Sequence, residues 1–519
     1  MKIRQYTCIM TIFDDFYNFL CIYDNIILMN KKSLYVFLAI NANLWTCIES
    51  LRLVTSADSM EAVVWGSLLS FGTHKHPPLS GWLAGSFHCF FGGSNLGVYI
   101  LGNICVIIGL IYTYKLAKFF LNEKEAVCSS LILTPCFYYT FQLFYDNFNC
   151  NILLMAFWPM LIYYFCKITK FNKIKDWIIF GILAGFASLA KYQVAVLFIF
   201  MFLYLIICKT KLLKQKRLYL SILIGFLIIL PHIIWLYKND FFPLLYFAER
   251  TASTVSDTGV LSFLKRIMFS VKFYLDQIMS LAPSLVLYSI LALKEKNIQF
   301  NKSFKENKKD KLFLIIVGLM PLLAMGISGV FTASRVVGAW GVSMICTVGI
   351  LLFYFFPIKL QEQTYKFFLK WIYGIMICWQ IAMIIFFVLQ TKRDFSYPYQ
   401  KVMGDFNTVW TKETNSAPLK YVAGDYAISS QIYNKQKPKA ILNTYNHINP
   451  WVNHDDVAKS GMLVMCSKKN ELMDLLDKFI KEYNIKNDFK INKYSYDIKN
   501  KFNKSKKYNI YYTVIKPEL

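Results

Sequence analysis

Long apolar runs dominate this chain, and a run of about 20 such residues, rising roughly 1.5 Å each, crosses a bilayer as a helix. By that measure the sequence holds about eleven spans, near 34–54, 97–114, 126–144, 150–166, 177–190, 192–208, 218–237, 269–293, 312–331, 338–356 and 367–390. The fifth and sixth nearly fuse around Lys191, and the eighth carries Lys272 and Asp276 near its start. An ordinary soluble fold is excluded: 56% of the 519 residues are hydrophobic and only 17% are charged, against about a quarter in soluble proteins. The same composition excludes disorder. The expected fold class is an all-α polytopic membrane protein with a small C-terminal α/β domain.

Charge sets the expected orientation. Lys115, Lys118 and Lys124 follow the second run, and Lys167, Lys170, Lys173 and Lys175 follow the fourth. Lys209, Lys211, Lys214, Lys216 and Arg217 follow the sixth; Lys294, Lys296, Lys302, Lys305, Lys308, Lys309 and Lys311 follow the eighth; Lys359 and Lys366 follow the tenth. Every second loop is basic, and Lys31 and Lys32 precede the first run. The positive-inside rule places the N-terminus and these loops in the cytoplasm. An odd number of spans leaves the C-terminal region outside the cytoplasmic (inner) membrane. Much of the net charge of +26 is therefore topology, and no nucleic acid is needed to explain it.

The 13 cysteines are scattered without a CxxC and read as small apolar residues, with no disulfide framework or zinc ribbon. Asp14, Asp15 and Asp24 interrupt any signal-peptide core in residues 1–30, and Met29 ahead of Lys31-Lys32 is the expected start of translation. Residues 31–390 then form the membrane domain, with a long first outer loop at 53–96. Residues 391–519 form the outer α/β domain. Strands are expected at 421–424, 440–442, 462–465 and 510–515, and helices at 427–433 and 471–483. The Lys/Asn-rich stretch 484–507 reads as a solvated connection.

The outer loops hold the candidate chemistry. The first contains Asp58-Ser59-Met60-Glu61-Ala62 and Thr73-His74-Lys75-His76-Pro77-Pro78-Leu79. Leu34 to Val54 spans about 31 Å as helix, so Asp58 and Glu61 fall at the outer boundary. Residues 60–70 and 78–91 are apolar or amphipathic and lie in the interface. Asp146 sits in a very short second outer loop, a position that also suits a cap on the helix that follows. Lys191 and Arg335 are cations on a face that should be poor in them. The loop 238–268, with Asp240, Glu249 and Arg250, is long enough to fold over a site.

The ordered set Asp-x-x-Glu-Ala, interfacial helix and His-Lys-His-Pro-Pro-Leu after a first span resembles the GT-C glycosyltransferases. It is most similar to bacterial relatives of the dolichyl-phosphate-mannose protein mannosyltransferases and to the lipid A aminoarabinose transferases (glycosyltransferase family 39/83 type). The short loop with Asp146, the stretch Leu189-Ala190-Lys191-Tyr192-Gln193 and the outer α/β domain strengthen it. Members often have adjacent Asp-Glu, whereas Ser59 follows Asp58 here. Many place an acidic residue and a lysine before Pro-Pro, where this chain has Lys75 and His76.

The resemblance implies transfer of a sugar, with inversion, from a polyprenyl-phosphate donor to a hydroxyl on a lipid, glycan or protein acceptor. It makes Asp58 the catalytic carboxylate, assisted by Asp146. Lys75, His76, Lys191 and Arg335 are the expected cations for the donor phosphate. Glu61 and His74 are acceptor or metal candidates, with no organic cofactor and a divalent cation left open. Two other classes compete. A transporter or flippase should show internal repeats and mid-span charges, which this sequence lacks apart from Lys272 and Asp276. A scaffold would leave the loop carboxylates without a role.

Overall fold

A computed structural model describes residues 31–252, 260–295, 308–331, 336–358, 360–432, 440–443, 454–483, 489–502 and 504–517. Residues 1–30, with the expected start at Met29, lie outside them, as does Arg335.

The membrane domain runs through α1 (Lys31–Glu49), α2 (Ala57–Leu68), α3 (Leu79–Phe90), α4 (Leu96–Ala117), α5 (Glu123–Leu131), α6 (Phe141–Asp146) and α7 (Cys150–Phe171). It continues with α8 (Ile174–Ala190), α9 (Val194–Cys208), α10 (Lys216–Lys238), α11 (Phe242–Ala252), α12 (Val260–Glu295), α13 (Lys308–Phe331), α14 (Val348–Phe355) and α15 (Glu362–Leu389). The chain is a multi-pass membrane protein. Among the described residues, six helices are long and apolar enough to cross a membrane: α4, α7, α10, residues 263–295 of α12, α13 and α15. Eleven full spans are not borne out.

Two expected spans are broken. The run 126–144 ends as α5 at Leu131, turns through Pro135, makes a short turn of 3-10 helix at Phe137–Tyr139 and resumes as α6. Pro135 has no N–H to donate and disfavours helix at Thr134, which accounts for the break. The run 338–356 begins with 3-10 turns at Gly338–Gly341 and Met344–Thr347 and is α-helical only from Val348. Helices α4 and α7 are mostly buried at the centre, and α10 and α15 show most of their apolar surface outward, where lipid would cover it.

The basic loops gather at one end of the bundle. Lys124 pairs with Glu362 at 2.7 Å and Lys170 with Asp310 at 2.8 Å, joining loops far apart in sequence, and Lys167 pairs with Asp176 at 2.5 Å across one turn of the chain. The opposite end carries α2, α3 and the C-terminal domain. There α2 and α3 meet backbone to backbone. A Cβ built on Gly66 would stand 2.1 Å from the Gly81 carbonyl oxygen and 2.7 Å from Gly85 Cα, so only glycine permits this approach.

The C-terminal domain is a mixed five-stranded sheet in the order β2 (Ala440–Asn443), β1 (Tyr421–Gly424), β3 (Met462–Cys466), β5 (Ser505–Ile515), β4 (Asn492–Lys499). The first three strands are parallel, and β5 runs antiparallel to β3 and to β4. Alternation along the strands sends Val422, Leu463 and Met465 to one face. There Val402, Met403, Phe406 and Trp410 of α16 (Tyr399–Glu413) cover them. Tyr421, Ala423, Met462 and Val464 face α17 (His454–Ser460) and α18 (Lys469–Tyr483).

The stretch 484–507 is therefore not a mere connection, because β4 lies within it. Tyr494, Tyr496 and Ile498 point into the domain, while Lys493, Ser495, Asp497 and Lys499 do not join its core. Charges along an edge strand protect it from pairing with another chain, and here they hid the period of two.

Candidate active site

Helix α2 begins shortly after the C-terminal end of α1. Ser56 caps it by accepting from Ser59 N, which leaves Asp58 in its first turn, exposed and favoured by the helix N-terminus. Between α6 and α7 the chain turns sharply through Asp146, Asn147 and Phe148, with Phe148 N donating to the Asp146 carbonyl at 2.7 Å. Asn149 then caps α7, accepting from Asn151 N at 2.9 Å and Ile152 N at 3.1 Å. The cap thus belongs to Asn149, and Asp146 is released for another contact.

Hydrogen bonds stitch these two turns together. The Ser59 hydroxyl lies 2.7 Å from the carbonyl oxygens of Asp146 and Phe148, and Ser56 Oγ donates to the Asp146 carbonyl at 2.5 Å. Phe148 N donates to Ser59 Oγ at 3.0 Å. Ser59, which departs from the adjacent Asp-Glu of many relatives, is thus the contact that holds the second loop against the first. The Asn149 amide nitrogen points at Asp146 Oδ2 at 3.1 Å and at Asp58 Oδ2 at 3.5 Å, and Gln142 donates to Asp146 at 2.7 Å. The carboxyl of Asp146, 9% exposed, is pushed up to about 6 by burial first and by the charge of Asp58 second, against those hydrogen bonds.

A cavity of about 260 Å³ opens beside the pair. Asp58 and Asp146 line it together with Arg52, Tyr145 and, from the C-terminal domain, Arg393, Asp394, Tyr397 and Gln431. Arg52 is buried and holds this corner through carbonyl oxygens, at Val54 (3.1 Å), Phe144 (2.5 Å), Tyr145 (3.2 Å) and Asp394 (3.0 Å). Its guanidinium also lies 4.6 Å from the Phe395 ring centre. The C-terminal domain therefore forms one wall of the cavity.

The other expected site residues divide into two groups. Glu61, one turn along α2, is buried and accepts from Lys75 Nζ at 2.6 Å, with His74 Nε2 at 3.7 Å. The rings of His74 and His76 stand edge-on to Trp65. Lys191, at the turn between α8 and α9, is buried, donates to Asn151 Oδ1 and lies 5.7 Å from the Trp340 ring centre. Burial lowers its ammonium below the ordinary lysine range, opposed by Cys150 and by Asp58. Asp58, Asp146 and Lys191 are thus brought into one electrostatic neighbourhood, while Lys75 is engaged by Glu61. Of Glu249 and Arg250 only the helix carrying them is described. Asp240 sits at a turn with φ of 50° after α10.

Asp58, Glu61, His74 and His76 do not converge as a ligand set. Among the described residues no group of three His, Cys, Asp or Glu is arranged to hold a metal ion. Sequence reasoning missed Arg52, Asn147, Asn149 and Arg393. Glu49 and Arg52, ionisable groups in the last turns of an apolar run, were the available signal.

The arrangement defines a class: a multi-pass helical protein with two carboxylates at a polar cavity between its first interhelical loops and a C-terminal α/β domain. Comparison with known proteins agrees. Residues 75–235 match the dolichyl-phosphate-mannose-protein mannosyltransferase family. The chain is 24% identical over 288 residues to the lipopolysaccharide core galacturonosyltransferase RgtB of Rhizobium johnstonii, a match spanning 53% of this chain and 55% of that protein. The chain therefore spans about half the length of this curated relative. Both matches are to glycosyltransferases.

Proposed function

We propose that the protein is an integral-membrane glycosyltransferase that moves a sugar from a polyprenyl-phosphate donor to a hydroxyl acceptor at the outer face of the cytoplasmic membrane. The observation that carries the reading is the carboxylate pair, one exposed and one buried, at the rim of a polar cavity on the end of the bundle opposite the basic loops. A lipid-linked sugar keeps its tail in lipid and its sugar in water, so its reaction belongs at such an edge.

In the reaction Asp58 takes the proton of the acceptor hydroxyl as that oxygen attacks the anomeric carbon. The bond from the anomeric carbon to the phosphate oxygen breaks on the opposite face, inverting the anomeric configuration, and polyprenyl phosphate leaves with the bonding pair. Lys191 faces the charge that grows on the phosphate; a cation held in a dry site is worth more there than in water. Asp146, Tyr397 and Gln431 line the acceptor side. The cavity of about 260 Å³ has room for one sugar-sized acceptor unit, which favours a glycan or glycolipid acceptor over a bulky protein segment. RgtB is named for action on a lipopolysaccharide core, and an acceptor of that class suits the cavity.

The test uses purified protein, a radiolabelled polyprenyl-phosphate sugar and membranes from cells lacking the protein as acceptor. Transfer of label to a membrane glycan or glycolipid supports the reading. Uptake of the labelled lipid across vesicles without transfer would replace it with a transporter.

A further inference from the structure

Asn147 adopts φ 56° and ψ −67°, the centre of a γ-turn with positive φ, a conformation that is rare and strained for any side chain. The turn persists because its side chain is fixed on both sides. Asn147 Nδ2 donates to Glu49 Oε1 at 2.8 Å and to the Phe144 carbonyl at 3.1 Å. Its Oδ1 accepts from Thr55 Oγ1 at 2.9 Å and from Ser56 N at 3.1 Å. The other oxygen of Glu49 accepts from Asn103 Nδ2 at 2.7 Å. Glu49, Asn103 and Asn147 are all buried, so none of these groups can turn to water instead.

We infer that Glu49 and Asn147 are positioning residues: together they lock the strained turn that sets Asp146 and Asn149 against Asp58. Both Glu49 oxygens face amide donors, one from α4 and one from the turn. A glutamine side chain offers only one acceptor, so Glu49→Gln must set an amide nitrogen against Asn103 or Asn147. Asn147→Asp sets a carboxylate against Glu49. Either change releases the turn. The two together reverse the polarity of the contact. The amide introduced at position 49 accepts from Asn103 and donates to the carboxylate introduced at position 147. The second oxygen of that carboxylate still accepts from Thr55 and Ser56. The hydrogen bond to the Phe144 carbonyl is lost, and a carboxylate oxygen faces that carbonyl in its place.

The inference rests on the catalytic reading of Asp58 and Asp146, so its test has two readouts on the full-length protein. The first is transfer from a radiolabelled polyprenyl-phosphate sugar to membranes lacking the protein. The second is labelling of Asp146 by a water-soluble carbodiimide, which attacks protonated carboxyls, followed across pH by mass spectrometry. Each single variant is expected to lower kcat at least tenfold with little change in donor KM. Each should also shift the pH midpoint of Asp146 labelling downward as the carboxyl moves away from Asp58 and toward water. Combining Glu49→Gln with Asn147→Asp should restore both to within about threefold in kcat and half a unit in midpoint. A double variant no better than the worse single, or single variants that keep the wild-type midpoint, would overturn the inference. If the wild-type protein transfers nothing, the catalytic reading fails, and the labelling midpoints alone decide whether the lock positions Asp146.

Discussion

Asp146 and Asp58 share one hydrogen-bond donor, the side-chain amide of Asn149, at 3.1 and 3.5 Å. The Asp146 carboxyl is buried, and burial pushes it up to about 6, whereas Asp58 is exposed at the start of a helix.

The first prediction follows from the burial of Asp146. The folded-state pKa of Asp146, about 6, lies above the unfolded value near 4, so the folded protein binds the extra proton between those limits. Stability at this residue therefore falls as pH rises from about 4 to about 6, and the full cost of about 2–3 kcal/mol applies above pH 6. Asp146→Asn removes it. Its thermal midpoint should exceed that of the wild type at pH 7.5, and the gap should close at pH 4.5. An equal gap at both values would contradict the assignment.

The second concerns Lys75 and Glu61. Both side chains are at most 10% exposed and 2.6 Å apart, so removing one partner leaves a buried charge without its main counter-ion. Lys75→Met should cost about 3 kcal/mol of stability in a thermal or denaturant assay, and adding Glu61→Gln should recover part of it. Loss of donor affinity with unchanged stability would instead return Lys75 to the phosphate.

Much of this was legible in the sequence. The apolar runs located the helices, and the loop carboxylates Asp58 and Asp146, far apart in the chain, do meet. What the sequence hid was whatever depended on side-chain partners. Nothing in the spacing of Lys75 shows that Glu61 lies back along the loop to pair with it. Asn149 and Asn147 are unremarkable polar residues until the turn brings them between acids. Strand β4 was masked by its own lysines, and α16 by the polar half of its amphipathic pattern.

The third prediction tests the contact of α2 with α3. Gly66→Ala forces two backbones apart and should destabilise the protein by about 1–3 kcal/mol. Gly374→Ala on α15, where an added Cβ meets nothing within 4 Å, should leave the melting temperature unchanged or slightly higher. Equal effects at the two sites would mean that α2 and α3 do not touch as described.

The fourth tests orientation. In intact cells, with the exposed native cysteines replaced, an impermeant thiol reagent should modify Lys506→Cys on β5 and spare Lys175→Cys in the first turn of α8, both of which are exposed positions. The reverse pattern would place the C-terminal domain, and with it Asp58, on the cytoplasmic side.

The most direct measurement compares sugar transfer from a radiolabelled polyprenyl-phosphate donor by the wild-type protein, Asp58→Asn and Glu61→Gln. Asp58→Asn is nearly isosteric and exposed, so it should fold and bind donor as the wild type does. Its transfer rate should fall by about 10²–10⁴-fold, the usual contribution of a general base, while Glu61→Gln, if folded, keeps the greater part of its activity. Asp58→Asn transferring at the wild-type rate in correctly folded protein would contradict the account.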